Sequence, residues 1–480
     1  MSEDPVMSNL TLTHTIGGKA VAGTAHFESR DPYRGDLVAT VPAAGSDEVG
    51  AAVRAARAAA PEVAAMPAYE RAAILKRAAE LMVARATEIG EIMARETGKA
   101  LVDAEGEVKR STDTLALSGE EAIRIEGSHV PLDGSAMGHG KMAFLMRFPM
   151  GVIGAITPFN APVNLACHKL GPAFAAGNAI VIKPPQQCPL VVQRLVELLY
   201  DAGVPRHFIQ IVHGGAATGQ ALVTHPGVDM LTFTGSSRVG AEIRARAGLK
   251  PVTLELGGTG QTIVCEDANL DAIAPQLARN AVRLAGQSCI SVQNVYAPRA
   301  LVGTLGDKVA AEMRGLKLGD PLAKGTDVGT LIDEAAARRV ESWVAEAMAA
   351  GAQLLCGGNR HGAAFEPTLL AGVTRDMKVA CDEVFGPVAS IIAYDDLEEP
   401  IRDISDSPFG LQCGVFTDST QRAMHLARRL RTGGIIINGT STWRTDQLAY
   451  GGVKDSGLGR EGPRYAIRDM TEERLILFNL

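Results

Sequence analysis

The sequence has few aromatic side chains and no large excess of charge of either sign. Phe, Trp and Tyr make up 4% of its 480 residues, and its formal net charge is −7 at pH 7. So small an imbalance gives no electrostatic reason to expect nucleic acid or an anionic membrane as a partner. No apolar run reaches the roughly 18 residues that a membrane helix requires. The first residues also lack the basic and apolar segments of a secretory signal, so we predict a cytoplasmic protein.

Cysteine is scarce and scattered. The seven cysteines stand at positions 167, 188, 265, 289, 356, 381 and 413, and none forms a C-x-x-C pair. An odd, dispersed set favours reduced thiols over a disulfide framework. It also offers no zinc or iron–sulfur motif, so no metal site is predicted. Free cysteines are most often small buried hydrophobes, and we expect six of the seven to be so.

The length exceeds what one hydrophobic core accommodates and predicts two or three domains. From residue 150 onward, short apolar runs alternate with helical stretches. The candidate buried strands are 152–156, 179–182, 208–212 and 230–233. Strands that alternate with helices predict an α/β fold with a parallel, doubly wound sheet. A second alternating series, from Val252 through Val295 to 434–437, predicts another α/β domain.

Three other segments differ from these alternating runs in composition and residue spacing. Residues 46–86 are alanine-rich with helical spacing, and we expect Pro61 to divide them into two helices. Gly, Pro and Asp at 127–134 separate two extended pieces within 123–148, which predicts a β-hairpin. The tail 475–480 is apolar and β-like, so it is expected to pair with another strand, from this or another subunit.

Three residues supply a thiol, an acid and an amide. Cys289 ends the run 286–289 (Gly-Gln-Ser-Cys), whose small and polar neighbours suit an accessible turn. Glu255 ends an apolar strand at a Gly-Gly turn, where it is either a pocket base or a salt-bridged structural group. Asn160 follows a strand, and its amide is either a helix N-cap or a donor to an oxyanion. Jointly they favour acyl transfer through a thioester.

Two further segments have features of nucleotide binding. Lys183 follows a strand at the sheet edge where ligands bind in open α/β folds, although a solvated surface lysine is an equal alternative. Residues 233–240 form a strand, a small-residue turn and a helix start, whose N–H groups suit a pyrophosphate. Residues 457–462 match G-x-G-x-x-G literally, but no apolar strand precedes them, so we interpret the match as chance.

In this order the motifs resemble those of the NAD(P)-dependent aldehyde dehydrogenase superfamily over essentially the full length. The matching runs are 158–160 (Pro-Phe-Asn), 181–184 (Val-Ile-Lys-Pro), 233–236 (Phe-Thr-Gly-Ser), 254–258 (Leu-Glu-Leu-Gly-Gly), 286–289, 383–387 (Glu-Val-Phe-Gly-Pro) and 450–457 (Tyr-Gly-Gly-Val-Lys-Asp-Ser-Gly). The segment 441–446 resembles the branch that includes lactaldehyde dehydrogenases.

The resemblance implies a three-part organisation. A Rossmann-like cofactor domain would comprise 1–122 and 149–253, and an α/β catalytic domain would comprise 254–465. A β-hairpin oligomerisation element would comprise 123–148 and 466–480, with the tail pairing across subunits. A homodimer or homotetramer is therefore implied.

The resemblance also implies a reaction cycle. Cys289 attacks the aldehyde, the Asn160 amide and the Cys289 backbone N–H hold the oxyanion, and Glu255 activates the water that releases the acid. Between these steps hydride passes to the nicotinamide. Lys183 would contact the adenosine ribose, Ser236 the pyrophosphate and Glu383 the nicotinamide ribose. The implied cofactor contacts are Ile156, Thr157, Pro158, Phe159, Lys183, Gln186, Gly215, Phe233, Thr234, Gly235, Ser236, Val239, Leu256, Gly257, Glu383 and Phe385.

Two positions depart from the family pattern. Thr259 stands where many relatives carry lysine or asparagine. Gln186 stands where many NAD-preferring relatives carry a glutamate that repels a 2′-phosphate. Gln186 removes that repulsion, so the expected cofactor is NAD or NADP.

The substrate is expected to be a short hydroxylated or anionic aldehyde. The helix after Asn160 places 161, 164, 165 and 168 on one face, which is small and half polar. Relatives that favour apolar aldehydes carry large hydrophobic groups there. Arg110 and Arg444 either bind an anionic tail or form structural ion pairs, and for Arg110 the ion pair is favoured. The candidate substrate contacts are Arg110, Asn164, His168, Ser288 and Arg444.

Three alternatives to oxidation to the acid would require different residues. A CoA-acylating enzyme generally lacks the water-activating glutamate, so Glu255 argues against it. A non-catalytic protein on this scaffold would be expected to lose Cys289 or Glu255, and both are present. A cysteine hydrolase would need a histidine beside Cys289, and no motif supplies one.

Overall fold

A computed structural model describes residues 10–480, so residues 1–9 of the predicted cofactor domain lie outside the described residues. In chain order the strands are β1 (Leu10–Thr11), β2 (His14–Ile16), β3 (Lys19–Val21), β4 (Ala25–Arg30), β5 (Leu37–Ala43), β6 (Ser128–Val130), β7 (Lys141–Pro149), β8 (Val152–Ile156), β9 (Ala179–Lys183), β10 (Ile209–Ile211), β11 (Met230–Thr234), β12 (Val252–Glu255), β13 (Gln261–Val264), β14 (Asn294–Pro298), β15 (Gln353–Cys356), β16 (Arg360–His361), β17 (Ala364–Phe365), β18 (Thr368–Ala371), β19 (Val388–Tyr394), β20 (Gln412–Phe416), β21 (Gly434–Ile437), β22 (Gly457–Leu458) and β23 (Thr471–Asn479).

The helices are α1 (Ser46–Ala65), α2 (Ala68–Ala84), α3 (Ala86–Thr97), α4 (Leu101–Ala122), α5 (Pro162–Ala175), α6 (Pro189–Ala202), α7 (Ala216–Thr224), α8 (Ser237–Arg246), α9 (Leu270–Val282), α10 (Val302–Arg314), α11 (Glu334–Ala349), α12 (Lys378–Cys381), α13 (Glu398–Asp406), α14 (Thr420–Arg429) and α15 (Pro463–Asp469). Across residues 10–480, none of these helices combines the length and apolarity needed to cross a membrane.

The first sheet has eight strands in the order β22-β12-β11-β8-β9-β10-β2-β3. Its five central strands run parallel in the spatial order β10-β9-β8-β11-β12. This is the 3-2-1-4-5 order of a Rossmann sheet, and its direction of progression reverses between β8 and β11. The four predicted strands are confirmed as β8 to β11. Every residue of these strands is buried, which explains their unbroken apolar runs.

The second sheet confirms the other predicted α/β domain. Its order is β15-β18-β19-β14-β13-β20-β21, and the strands from β18 to β21 are parallel. The prediction that Val252 opens this second series is wrong, because β12 pairs with β11 in the first sheet. The apolar sequence of a strand does not indicate which of two sheets the strand will join.

Two hydrophobic cores show where the chain changes domain. One extends from Leu12 to Leu256 and includes Ile467 and Met470, and the other begins at Ile263. The change therefore falls after β12, whereas the predicted boundary at 254 falls within that strand. β22, predicted in the catalytic domain, pairs with β12 of the first sheet. α15, which crosses the predicted boundary at 465, packs on α4 and α5 of the first domain.

The break between the first two helices lies later than predicted. α1 continues through Pro61 and ends at Ala65. Met66 is extended, with ψ of 124°, because it precedes Pro67 and the helical region is disfavoured before proline. Pro61 removes one helical hydrogen bond within α1 and is tolerated there.

The predicted hairpin is confirmed as β6 and β7, although residues 131–140 separate its strands rather than 127–134. The expected strand partner of the tail lies in the same chain, and pairing across subunits stays a prediction. β23 pairs antiparallel with β7 of the same chain, from Thr471 opposite Pro149 to Asn479 opposite Lys141. The chain returns through α15 directly to the open edge of β7, so its own hairpin receives the tail.

Candidate active site

Two cavities lie between the domains and meet at Cys289. The large cavity has a volume of about 320 Å³ and the small cavity about 90 Å³. Both lie beyond the carboxyl ends of β8, β11 and β12, where the strand order of the first sheet reverses. The residues that line both cavities are Asn160, Leu165, Cys289, Arg444 and Tyr450.

A left-handed turn precedes Cys289. Leu284 and Ala285 have φ of 58° and 52°, a region that non-glycine residues rarely adopt. Gly286 follows with φ of 70°, and a Cβ there would lie 1.9 Å from the carbonyl oxygen of Gly386. Only glycine fits at this third position. The turn lifts Cys289 out of the catalytic domain toward the cavities.

Hydrogen bonds to other segments of the chain hold the turn. Asp103 of α4 accepts hydrogen bonds from the backbone N–H of Leu284 at 3.1 Å and from Arg283 Nε at 3.2 Å. Gln287 Oε1 accepts the backbone N–H of Ile332 at 2.9 Å. Because strained backbone persists only where its surroundings fix it, these contacts are what keep the turn in place.

The thiol of Cys289 is half-buried between the two cavities. Burial raises its pKa to about 12, while the hydrogen bond with the Tyr450 hydroxyl at 3.4 Å and the nearby Arg444 act against that rise. The prediction for the other cysteines was nearly right. Five of them are buried, but Cys381 is exposed because α12 ends there at the surface.

Glu255 is the last residue of β12 and is 3% exposed. Within residues 10–480 neither of its carboxyl oxygens has a hydrogen-bond partner, so the alternative of a salt-bridged structural group does not hold. Burial raises its pKa well above the usual range, and the charge of Glu461 adds to the rise. A Cβ on Gly451 would lie 2.7 Å from Glu255 Oε1, so glycine at 451 makes room for the carboxyl group.

Asn160 lies in the loop between β8 and α5 and lines both cavities. It is not an N-cap, since that position is Ala161. The backbone N–H groups of Val163 and Asn164 instead donate to Glu107 Oε1 at 2.9 and 3.0 Å. Glu107 therefore takes over the capping of α5.

Most of the predicted cofactor contacts line the large cavity. The rings of Phe159 and Phe385 meet edge to face with centroids 5.9 Å apart. Beside them the Glu383 carboxyl group packs against the backbone of Gly257. A Cβ atom on Gly257 would lie 2.4 Å from Glu383 Oε2. The predicted contacts that line this cavity are Pro158, Phe159, Thr234, Gly235, Ser236, Leu256, Gly257, Glu383 and Phe385.

The remaining predicted cofactor residues lie outside the lining of this cavity. Lys183 is buried at the end of β9, so the alternative of a solvated lysine is wrong. It donates to the carbonyls of Pro184 and Gly214 at 2.9 and 3.1 Å, and burial lowers its pKa to about 8. The Gln186 side chain packs closely against Gly215, since a Cβ atom there would lie 2.9 Å from Gln186 Oε1. The others that do not line the cavity are Ile156, Thr157, Phe233 and Val239.

These groups fit the parts of a dinucleotide. Ser236 caps α8 by accepting the N–H of Val239 at 3.4 Å, so the positive end of that helix faces the large cavity. Glu383, whose carboxyl pKa burial raises to about 7, supplies acceptors for ribose hydroxyls. Gln186 is exposed, with no negative charge to repel a 2′-phosphate.

Four of the five candidate substrate contacts line the small cavity, namely Arg110, Asn164, Ser288 and Arg444. His168 does not line it, because it lies about one turn further along α5 than Asn164. Arg110 also forms the favoured ion pair, donating from Nε and Nη2 to Asp446 Oδ1 at 3.0 and 2.7 Å. His168 Nε2 lies 3.2 Å from the same oxygen and 3.1 Å from Arg444 Nη2.

A buried ion network behind the cavities was not predicted. Lys169 Nζ lies 2.8 Å from Thr234 Oγ1 and 3.2 Å from Glu461 Oε1, and Arg444 lies 3.1 Å from the other oxygen of Glu461. Burial opposes ionisation of Glu461, but Lys169, His168 and Arg444 hold its pKa well below the usual range. The sequence around Lys169 and the glycine-rich sequence around Glu461 contain nothing that indicates that the two residues pair.

Two further residues were missed although the sequence held a signal. Tyr450 is the first residue of the family motif 450–457, and Arg283 stands six residues before Cys289 and lines the small cavity. The run 457–462 was interpreted as a chance match, and in the structure Gly457 and Leu458 form the antiparallel edge strand β22.

The fold and the site define a class of oxidoreductase in which a Rossmann sheet faces a cysteine, an amide and an acid. A profile of the Aldehyde dehydrogenase family matches residues 20–476, and the chain belongs to that family. It is an NAD(P)-dependent aldehyde dehydrogenase.

Known proteins resemble the chain over nearly its whole length. A 3-sulfolactaldehyde dehydrogenase of Priestia megaterium is 43% identical and covers 99% of this chain and 100% of its own. A crystal structure of aldehyde dehydrogenase 21 from Physcomitrella patens, in complex with the reaction product succinate, is 36% identical with a TM-score of 0.95 and covers 98% of this chain and 99% of its own. An NADP-dependent glyceraldehyde-3-phosphate dehydrogenase from Bacillus halodurans, complexed with NADP, is also 36% identical with a TM-score of 0.95 and covers 98% and 100%.

Proposed function

We propose that Cys289, Asn160 and Glu255 carry the oxidation. The Cys289 thiolate forms a C–S bond with the aldehyde carbon, and the carbonyl electron pair becomes an oxyanion. The Asn160 amide and the Cys289 backbone N–H donate hydrogen bonds to that oxyanion. When bound in the large cavity, NAD(P)+ supplies the hydride acceptor.

Glu255 then acts as the general base for hydrolysis. Loss of hydride leaves a thioester on Cys289, and the Glu255 carboxylate removes a proton from the attacking water. The C–S bond breaks, so that the acid leaves and the thiolate is restored. A buried acid with no partner is suited to this role because burial brings its pKa toward the working pH.

The cofactor would lie along the carboxyl edge of the first sheet. Lys183 and Gln186 would hold the adenosine ribose, and the start of α8 at Ser236 the pyrophosphate. Glu383 would hold the nicotinamide ribose, with Phe385 beside the ring. The remaining predicted contacts belong to the same strand ends and helix start.

We infer that the substrate is a short aldehyde with a hydroxyl group or an anionic tail. The observation that carries this inference is the small cavity, whose volume is about 90 Å³ and whose lining includes Arg110, Arg283 and Arg444. A space of that size favours short aldehydes over long alkyl chains, and guanidinium groups bind carboxylate, phosphate or sulfonate oxygens. The Priestia relative is named for 3-sulfolactaldehyde, a molecule with both features.

A comparison of kcat/KM for four aldehydes tests this inference. We expect lactaldehyde, 3-sulfolactaldehyde or succinate semialdehyde to exceed hexanal by at least about 10-fold, since a charge-assisted hydrogen bond contributes about 1.5–3 kcal/mol. Arg283→Gln should raise KM for the anionic aldehydes more than for lactaldehyde. Arg299→Gln, at an exposed ion pair with Asp395, is the matched control. A preference for hexanal would contradict the proposal.

The acyl acceptor is proposed to be water rather than CoA. Product analysis with and without CoA separates the two, because only the acylating reaction requires CoA for turnover. Free acid formed at the same rate in both conditions supports Glu255 as the base. Acyl-CoA as the main product would overturn that role.

The enzyme is proposed to be a homodimer or homotetramer in the cytoplasm. β23 is an outer strand of its sheet, and Leu475, Leu477 and Phe478 on it are exposed. Exposed apolar edge strands favour pairing with another copy. The exposed Cys381 thiol favours a reducing compartment. Sedimentation analysis of Leu477→Lys, with Val83→Lys on α2 as control, should show a smaller assembly only for the first; a monomeric native protein would contradict the proposal.

A further inference from the structure

The Tyr450 side chain contacts the nucleophile directly. Its hydroxyl lies 3.4 Å from Cys289 Sγ, which is the one side-chain hydrogen bond of this sulfur within residues 10–480. Tyr450 is 5% exposed, so most of its side chain is removed from water although it borders both cavities. A hydrogen bond in a dry site contributes more than one in solvent.

Arg444 lies over the same tyrosine ring. Its guanidinium carbon is 3.6 Å from the ring centroid, which places a cation on the electron-rich face. Glu461 and His168 anchor Arg444 from behind, each at 3.1 Å. A cation on the ring face draws electron density from the phenol and strengthens its O–H as a donor.

We propose that Tyr450 is a catalytic residue whose hydroxyl donates a hydrogen bond to the Cys289 thiolate, while Arg444 polarises the phenol. The proposal rests on the proposed role of Cys289 as nucleophile. The tyrosine keeps its proton throughout, so no proton passes between the two residues. Burial raises the phenol pKa well above its usual value, which makes the phenol the donor and the sulfur the acceptor once the thiol is ionised.

The need for such a donor follows from the surroundings of the sulfur. Burial disfavours the thiolate, and the acidic residues that line the cavities, Asp103, Glu107, Glu255, Glu383 and Glu461, disfavour it further when ionised. The arginines that line them, Arg110, Arg283, Arg339 and Arg444, favour it. Tyr450→Phe leaves all of these groups in place and removes only the hydroxyl.

The same contact also orients the nucleophile. Cys289 lies where the small and large cavities join, and a rotation about its Cα–Cβ bond would carry the sulfur away from the junction. A hydrogen bond from a buried, stacked ring holds one rotamer at that junction. Tyr450 therefore affects both the position of the Cys289 sulfur and the fraction of the thiol that is ionised.

The test is the pH dependence of Cys289 alkylation by iodoacetamide in the full-length protein. Mass spectrometry of the peptide that contains Cys289 separates its reaction from that of the exposed Cys381. In Tyr450→Phe we expect the rate profile to shift upward by about 1–2 pH units, which is about 10- to 100-fold slower alkylation at pH 7. kcat/KM should fall in parallel at pH 7 and recover as the pH rises.

Tyr69→Phe is the matched control, because Tyr69 is exposed on α2 far from the cavities. It should leave the alkylation profile unchanged. An unshifted or downward-shifted profile in Tyr450→Phe would overturn the proposal. The alkylation assay uses neither aldehyde nor cofactor, so it reports on Tyr450 even if Cys289→Ala were to retain activity and the nucleophile assignment failed. Melting temperatures verify that each variant is folded.

Discussion

Glu383 Oε1 accepts a hydrogen bond from the backbone N–H of Gly258 at 3.1 Å. This contact joins a loop of the catalytic domain to the segment that leaves β12 for the second core. Burial raises the Glu383 pKa to about 7, and the Gly258 hydrogen bond and Arg339 act against that rise. The side chain proposed to bind the nicotinamide ribose therefore titrates near neutral pH.

Cofactor affinity is predicted to weaken as pH falls through about 7. Above that pH Glu383 is ionised and accepts hydrogen bonds from the ribose hydroxyls, whereas below it the protonated carboxyl has lost part of that capacity. Titration of intrinsic fluorescence with NADPH from pH 5.5 to 8.5 measures the effect. Glu383→Gln should weaken binding by about 10-fold at pH 8 and abolish the pH dependence. A pH dependence that persists in this variant would assign it to another group.

Glu255→Gln is predicted to separate acylation from hydrolysis. The thiohemiacetal can still form on Cys289, but water lacks its base, so the thioester accumulates. Stopped-flow absorbance should show a burst close to one equivalent of reduced cofactor, followed by turnover about 10²- to 10⁴-fold slower. Intact mass should show the acyl adduct. Absence of both burst and adduct would move Glu255 to an earlier step.

The first sheet was predictable because its strands are buried on both faces. Such strands need apolar runs, as in β8 and β9, and a glycine shortly before each run and a proline shortly after it mark its ends. The residues proposed to be catalytic could be selected from the sequence because Cys289, Glu255 and Asn160 each stand in a short motif, and the order of the motifs identifies a family. Local sequence was sufficient for both.

Contacts between distant segments were not predictable in the same way. Lys169 and Glu461 form an ion pair across 292 positions of the chain, and neither has a neighbour that marks it. The return of β23 to β7 of its own chain depends on where α15 directs the tail. The end of α1 depended on Pro67 rather than Pro61, a choice that helix propensity does not decide.

Gln186→Glu is predicted to shift cofactor preference toward NAD. The new carboxylate would accept hydrogen bonds from the adenosine ribose hydroxyls and repel a 2′-phosphate. Glutamate has the length and shape of glutamine, so it fits beside Gly215 without a clash. We expect the ratio of kcat/KM for NAD over NADP to rise by at least about 10-fold, the effect of 1.4 kcal/mol. Gln187→Glu, at the exposed next position, is the control, and an equal shift in it would indicate a general charge effect.

Two adjacent substitutions in the turn before Cys289 are predicted to differ in their effects. Gly286→Ala places a Cβ 1.9 Å from the Gly386 carbonyl oxygen, so the turn must move and the thiol with it. We expect a loss of kcat of at least about 10²-fold, since a displacement of about 1 Å in a reacting group has that effect. Ala285→Gly relieves a left-handed alanine, and the greater freedom of glycine in the unfolded chain offsets that gain, so its melting temperature should change by less than about 2 °C. Differential scanning fluorimetry and initial rates measure both variants. Full activity in Gly286→Ala would mean that the position of Cys289 does not depend on this turn.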